Sequence, residues 1–259
     1  MDLGISGRKA IVCGASRGLG RAIAESLAEA GTELILNARG LEGIEKAADE
    51  LRSRYGVKVH TLAGDLTTQD GCNRLVTAFP EADILINNAG GPPAGDWRDF
   101  EREDWQGAAD RNMIGPIFLM RAYLDGMAER GFGRVVNITS IVVKMPKEIL
   151  ALSVAARLGL TGAVKAIAPS VAGSNVTINN VLPELFNTDR LRQNLTTLGA
   201  KNGRSLDEEI AVHLAEIPAA RFGLPAELGA TCAFLCSQHA GFITGQSILL
   251  DGGSYPGIF

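Results

Sequence analysis

The chain has 259 residues, 46% of them hydrophobic and 21% charged, which suits one well-filled α/β domain and excludes a disordered or fibrous polypeptide. A formal net charge of −4 without a concentrated basic patch makes nucleic acid and anionic membranes unexpected partners. Leu3 and Ile5 before Arg8-Lys9 fall short of a signal-peptide core and no apolar run approaches membrane-spanning length, so a cytoplasmic location is expected.

In chain order, strands are expected at Lys9 to Cys13, Glu33 to Asn37, Val57 to Leu62, Ile84 to Asn87, Arg134 to Thr139, Thr177 to Leu182 and Ser247 to Leu250. Helical patterns fill nearly every interval between them. Short apolar strands joined by helices imply a parallel sheet covered on both faces, with a ligand crevice at the carboxyl ends of the strands. The predicted architecture is therefore a single Rossmann-type doubly wound α/β domain over residues 1–259, with about seven strands. The least regular stretch, Glu184 to Arg221, is expected to form a lid over that crevice or an ordinary surface excursion.

The first strand runs into Cys13-Gly14-Ala15-Ser16-Arg17-Gly18-Leu19-Gly20, followed by a helical pattern. Glycines spaced in this way at a strand-to-helix junction let the backbone turn tightly and approach a pyrophosphate, whose charge the helix N-terminus favours. Cys232 and Cys236 would share a helix face, but apolar neighbours and the lack of a nearby histidine cluster point to buried packing rather than metal or redox chemistry, and no metal site is expected. Trp97, Trp105 and Phe186 are open to two readings, pocket walls or core packing.

The glycine loop, Asn87-Asn88-Ala89-Gly90 at the end of the fourth strand, Ser140 after the fifth, Pro183 with Thr188 after the sixth, and Thr244-Gly245-Gln246 leading to Asp251-Gly252-Gly253 together resemble the short-chain dehydrogenase/reductase family, with 3-oxoacyl-carrier-protein reductases as the nearest flavour. The resemblance spans nearly the whole chain. It implies a nicotinamide cofactor, a small-molecule substrate and a homotetramer. It also implies cofactor contacts from Gly14, Ser16, Arg17, Gly18, Leu19, Gly20, Asn37, Arg39, Asp65, Leu66, Asn88, Ala89, Gly90, Arg157, Pro183, Phe186 and Thr188. Asp65 is placed to hold the adenine or to cap a helix before Thr67, and both roles are compatible.

Charge indicates which nicotinamide cofactor. Where an NAD site would place a carboxylate on the ribose 2′-hydroxyl, the second strand ends Asn37-Ala38-Arg39. Arg17 and Arg39 can bracket a 2′-phosphate, so NADP(H) is expected over NAD(H).

The chemistry departs from the pattern of the family, whose members use an Asn, a Ser and a Tyr-x-x-x-Lys pair. Asn112 and Ser140 match the first two, while the gapless register puts Ser153 and Arg157 in the places of Tyr and Lys. A register shifted by three would put Leu150 and Val154 there, but it needs compensating gaps around Gly162 and Pro183. On a helix, Ser153 and Arg157 share a face, so Arg157 is expected to reach a nicotinamide ribose, whereas the serine hydroxyl is too short and too weakly acidic to replace a tyrosine directly. A water held by Ser140 and Ser153 could relay the proton. Lys144, Lys147 and Glu148 are further acid/base candidates, or simply solvated loop charges, and Glu184 replaces the usual glycine after Pro183. Two functions follow: an NADP(H)-dependent oxidoreductase with a modified proton path, or a non-catalytic NADP-binding relative with a regulatory or scaffolding role.

Overall fold

The computed structural model describes residues 1–258. Its seven strands form one fully parallel sheet in the order β3-β2-β1-β4-β5-β6-β7: β1 Lys9–Cys13, β2 Glu33–Ala38, β3 Val59–Ala63, β4 Ile84–Asn87, β5 Gly133–Ile138, β6 Val176–Pro183 and β7 Ser247–Leu250. The predicted strands all form, with ends displaced by a residue or two.

Alternate residues of each strand enter different cores, as the period of two requires. Ala10, Val12, Leu34, Leu36, Ile84 and Ile86 pack with α1 (Gly18–Glu29) and α9 (Pro225–Cys236). Ile11, Cys13, Ile35, Leu85, Val135 and Ile178 pack on the other face with α5 (Gly115–Glu129) and α6 (Ala151–Ala172). Burial on both faces explains why the strands read as unbroken apolar runs rather than as alternating ones. The four cysteines are buried and free. Burial pushes the thiols of Cys13 and Cys236 up to about 12, so they stay protonated and act as packing.

The remaining helices are α2 Leu41–Tyr55, α3 Gln69–Ala78, α4 Arg102–Ala109, α7 Asp189–Asn202 and α8 Leu206–Ala215. The stretch read as least regular is thus a pair of helices. Thr188 caps α7 by accepting from the Leu191 N–H, and a Ser205/Glu208 capping box starts α8, two signals that the glycines and Pro218 nearby obscure. Asp65 is not the cap of α3. That place belongs to Thr68, whose hydroxyl accepts from the Gly71 N–H, while the Asp65 carboxylate closes a turn on the Thr67 N–H one step earlier.

Within the segment Glu148–Ala172, which contains α6, an 18-residue stretch has a mean hydropathy of 1.5 and is long and apolar enough to cross a membrane by length and composition alone, contrary to the expectation that no run approaches such length. Leu160, Val164 and Ala168 show its actual use, because they are fully packed against the sheet. Leu158 on its outer side remains 43% exposed.

Candidate functional site

The strand order reverses between β1 and β4, so loops leaving their carboxyl ends diverge and open a crevice. The glycine loop occupies one wall. Gly14 and Gly18 have positive φ, and a β-carbon on Gly20 would lie 2.2 Å from the Gly14 carbonyl oxygen. Only glycine permits this approach. Asn88, leaving β4, donates its side-chain amide to the carbonyls of Cys13 (3.2 Å) and Gly14 (3.4 Å), tying the two loops together. No side chain caps the start of α1, which leaves its first N–H groups available to an anion.

At the adenosine end, Arg17 and Arg39 are both exposed. Arg39 lies close enough to Asp65 to help hold that carboxylate below its ordinary range, together with the Thr67 backbone contact and against the effect of burial. The Asn37 amide donates to the carbonyls of Leu62 (2.9 Å) and Gly64 (3.3 Å), so its –NH₂ group fastens β2 to β3 rather than facing a ribose. Phe186 is 6% exposed and its ring lies against Gly223, where a β-carbon would come within 2.7 Å. It packs in the core, whereas Trp97 and Trp105 are partly exposed. Thr188 faces the glycine loop from the start of α7, with its methyl 3.8 Å from where a β-carbon of Gly18 would be.

The other end of the crevice holds the four candidate catalytic residues. Asn112 sits in a wide π-turn, Asp110–Ile114, between α4 and α5, a distortion that is frequent at functional sites. Its amide approaches the Gly90 carbonyl at 3.5 Å and its Oδ1 is buried without a partner. Ser153 and Arg157, on α6, are 8% and 6% exposed. Arg157 Nε donates to Ser153 Oγ at 3.1 Å, and Nη1 donates to the carbonyls of Ile138 (2.8 Å) and Thr139 (2.5 Å). These carbonyls lie immediately before Ser140, whose Oγ accepts from the Val142 N–H at 3.4 Å.

The register explains why an arginine fits there. Thr139 N–H donates to the Val181 carbonyl, so the next parallel rung would join the Thr139 carbonyl to the N–H of Pro183, which proline lacks. Arg157 supplies the missing donor. Nε and Nη1 are thus committed, so the reach to a nicotinamide ribose expected of Arg157 falls to Nη2, which lies 3.8 Å from where a β-carbon of Gly91 would be. Burial, with the nearby charge of Arg190, lowers its pKa to about 10, and it remains protonated at neutral pH.

The neighbours of this site include residues singled out by sequence, Glu184 and the Lys144 to Glu148 loop, and others that were not, Arg190 and a row of amides. Arg190, on α7, reaches across the crevice to donate to the Gly91 carbonyl at 3.2 Å. Glu184 turns toward the C-terminal segment, accepting from Ser254 Oγ at 2.5 Å, and burial raises its pKa. It lines a cavity of about 260 Å³ with Phe186, Ile217, Arg221 and Asp251. Side-chain amides run across the sheet from Asn87 to Asn137 (2.8 Å), then to Asn180 (3.3 Å) and to Ser247 (3.2 Å). Their residues share one register row, visible only after the strands are paired. In the loop after Ser140, Lys147 and Glu148 are exposed, while Lys144 lies 5.3 Å from the Tyr255 ring. Among the described residues no cluster of three or more His, Cys, Asp or Glu side chains could hold a metal.

A doubly wound parallel sheet with a glycine cradle at its switch point defines a dinucleotide-binding protein of the Rossmann class. The chain belongs to the short-chain dehydrogenase/reductase family: the family model described as enoyl-(acyl-carrier-protein) reductase matches residues 14–255, and similarity to individual members runs end to end. It is 34% identical to the 3-oxoacyl-[acyl-carrier-protein] reductase FabG of Vibrio cholerae, covering 98% of this chain and 99% of that one. It is 32% identical to gluconate 5-dehydrogenase of Gluconobacter oxydans over 96% and 95% of the two chains. The crystal structure of L-sorbose reductase from Gluconobacter frateurii, complexed with NADPH and L-sorbose, superposes with a TM-score of 0.95 at 30% identity, covering both chains completely.

Proposed function

We propose that this protein is an NADP(H)-dependent oxidoreductase that interconverts a carbonyl and an alcohol, with Ser153 and Ser140 handling the proton that a tyrosine handles in its relatives. When bound, the nicotinamide supplies or accepts the hydride. The glycine cradle and the open start of α1 suit its pyrophosphate, Arg17 and Arg39 suit its 2′-phosphate, and Thr188 covers it from the lid side. L-Sorbose reductase from Gluconobacter frateurii was solved with NADPH and a 3-oxoacyl-(acyl-carrier-protein) reductase from Agrobacterium tumefaciens with NADP, which supports the same choice.

The observation that carries the reading is the 3.1 Å contact from Arg157 Nε to Ser153 Oγ. Because the serine oxygen accepts there, its own proton is directed elsewhere, toward a carbonyl oxygen or a bridging water. The fixed positive charge beside it stabilises negative charge developing on either oxygen in a site shielded from water. Ser140, next in sequence to the Thr139 carbonyl that Arg157 also holds, is the second hydroxyl that would serve the same water.

The test is a panel of alcohols and carbonyl compounds followed at the nicotinamide absorbance band with NADP and NADPH. Turnover on any member supports the enzyme. Tight cofactor binding with no turnover across the panel favours the non-catalytic, regulatory reading. With a substrate in hand, Ser153→Ala lowers turnover by about 100-fold, the usual contribution of a positioned acid or base, while NADP(H) affinity stays within about twofold. Unchanged kinetics would move the proton-handling role to Ser140 or the Lys144–Lys147 loop.

Arg39→Ala weakens NADP(H) by about 1–3 kcal/mol, the worth of a charge-assisted hydrogen bond, and leaves NAD(H) unaffected. Calorimetric titration of both cofactors checks it. An equal loss for both would mean that Arg39 does not read the 2′-phosphate.

The uncovered side of α6, where Leu158 lies, together with α5, forms the contact between copies in a homotetramer. Sedimentation at micromolar concentration gives a tetramer, and Leu158→Glu shifts it to smaller species. A monomeric natural protein would refute this assembly.

A further inference from the structure

We infer that the crevice holds a second anion site, formed by Arg157 and Arg190, and that its occupant is a carboxylate or phosphate carried by the substrate. The inference builds on the oxidoreductase reading, because it names the class of substrate: a hydroxy or oxo compound bearing an acidic group.

The two guanidiniums come from opposite walls. A β-carbon on Gly91 would lie 3.8 Å from Arg157 Nη2 and 3.9 Å from Arg190 Nη2, and one on Gly90 would lie 2.8 Å from Arg190 Nη1. Both therefore face the same short stretch of backbone after β4. Among the described residues neither makes an ion pair, and Arg157 Nη2 has no hydrogen-bond acceptor although its side chain is 6% exposed. Arg190 also occupies the first turn of α7, where the helix dipole is positive and a cation is unfavourable. Two guanidiniums thus meet at this stretch with no carboxylate among the described residues paired to either, and Asp189 is the acidic residue in the same first turn of α7. Such an arrangement raises the free energy of the empty site, and an anion bound between them relieves it.

The cofactor pyrophosphate is the other source of such an anion, and the geometry disfavours it. The glycine loop and α1 form a separate anion cradle, and the lid residue facing Gly18 is Thr188. Arg190 instead faces Gly90, Gly91 and the Arg157–Ser153 pair, the end where proton transfer is placed. A carboxylate or phosphate there would hold a neighbouring carbonyl beside Ser153.

The test uses NADP-saturated protein titrated calorimetrically with sodium phosphate and with sodium D-gluconate at constant ionic strength, using the natural chain, Arg190→Gln and Arg190→Lys. At least one of the two anions is expected to bind the natural protein. Arg190→Gln should weaken it by about tenfold or more, and Arg190→Lys by less, since a point charge replaces the fork. NADP affinity, titrated separately, should stay within about twofold in both variants. Binding of neither anion, or equal binding to Arg190→Gln, overturns the site. If Arg190→Gln weakens NADP itself by about tenfold and the anions compete with NADP, the occupant is the cofactor phosphate and the assignment to substrate fails. None of these titrations requires turnover, so an inactive but anion-binding protein would sink the oxidoreductase reading while leaving the site standing.

Discussion

Gly20→Ala abolishes useful cofactor binding. The added methyl would lie 2.2 Å from the Gly14 carbonyl oxygen and 2.7 Å from Asn88 Nδ2. The amide could rotate away, but the carbonyl is backbone, and the loop is fixed on its other side by the Ala15 N–H, which donates to the Asn37 carbonyl at 3.0 Å. The loop must therefore open, carrying Gly14 and Gly18 out of the conformation that admits a pyrophosphate. NADP(H) affinity should fall by about 100-fold or more, equivalent to about 2.7 kcal/mol, and the strain should destabilise the fold by about 1–3 kcal/mol. Titration calorimetry and thermal unfolding measure the two losses. Gly107→Ala serves as the control, since nothing lies within 4 Å of its added methyl. Natural affinity in Gly20→Ala would mean that the cofactor does not use this cradle.

Arg157→Met has the larger effect on stability. Methionine fills most of the volume but offers no donor, leaving the Ile138 and Thr139 carbonyls and Ser153 Oγ without the partners they now have. Removing a buried cation also relieves its dehydration, which acts in the opposite direction. The former effect wins because two of the three acceptors are backbone groups that cannot be exchanged for apolar ones. A net loss of about 2–4 kcal/mol is expected, lowering the midpoint of thermal unfolding by roughly 4–15 °C for a chain of this size. A variant as stable as the natural protein would show that water replaces the guanidinium.

The fold was legible because its signals are local. Apolar runs such as Ala10 to Val12 and Ile84 to Ile86 specify doubly buried strands by themselves, and the glycine spacing at 14, 18 and 20 marks the turn into α1. The residue types at positions 112, 140, 153 and 157 were equally visible, but their contacts were not. That Arg157 completes a sheet rung depends on Pro183 arriving opposite Thr139, a consequence of strand register that no short window contains. Arg190 is separated from Gly91 by 99 positions, and its role emerges only once α7 folds back over the crevice. The Asn87-Asn137-Asn180-Ser247 row is similarly scattered along the chain, each member reading alone as an ordinary polar residue near a strand end.

Strand β5 carries a guanidinium at each end. Arg134, 1% exposed, donates to the carbonyls of Gly133 (2.8 Å), Asn175 (2.7 Å) and Ser237 (3.1 Å), as Arg157 does to those of Ile138 and Thr139. Position 157 therefore bears two obligations at once, to the integrity of the sheet and to the hydroxyl at 153, and mutational effects at 153, 157 and 183 are epistatic. A lysine placed for a ribose leaves strand carbonyls bare, and a tyrosine at 153 loses the space the arginine now fills. Changing one member of the pair alone, Arg157→Lys or Ser153→Tyr, is therefore expected to cost stability, so the two positions change together more readily than one at a time.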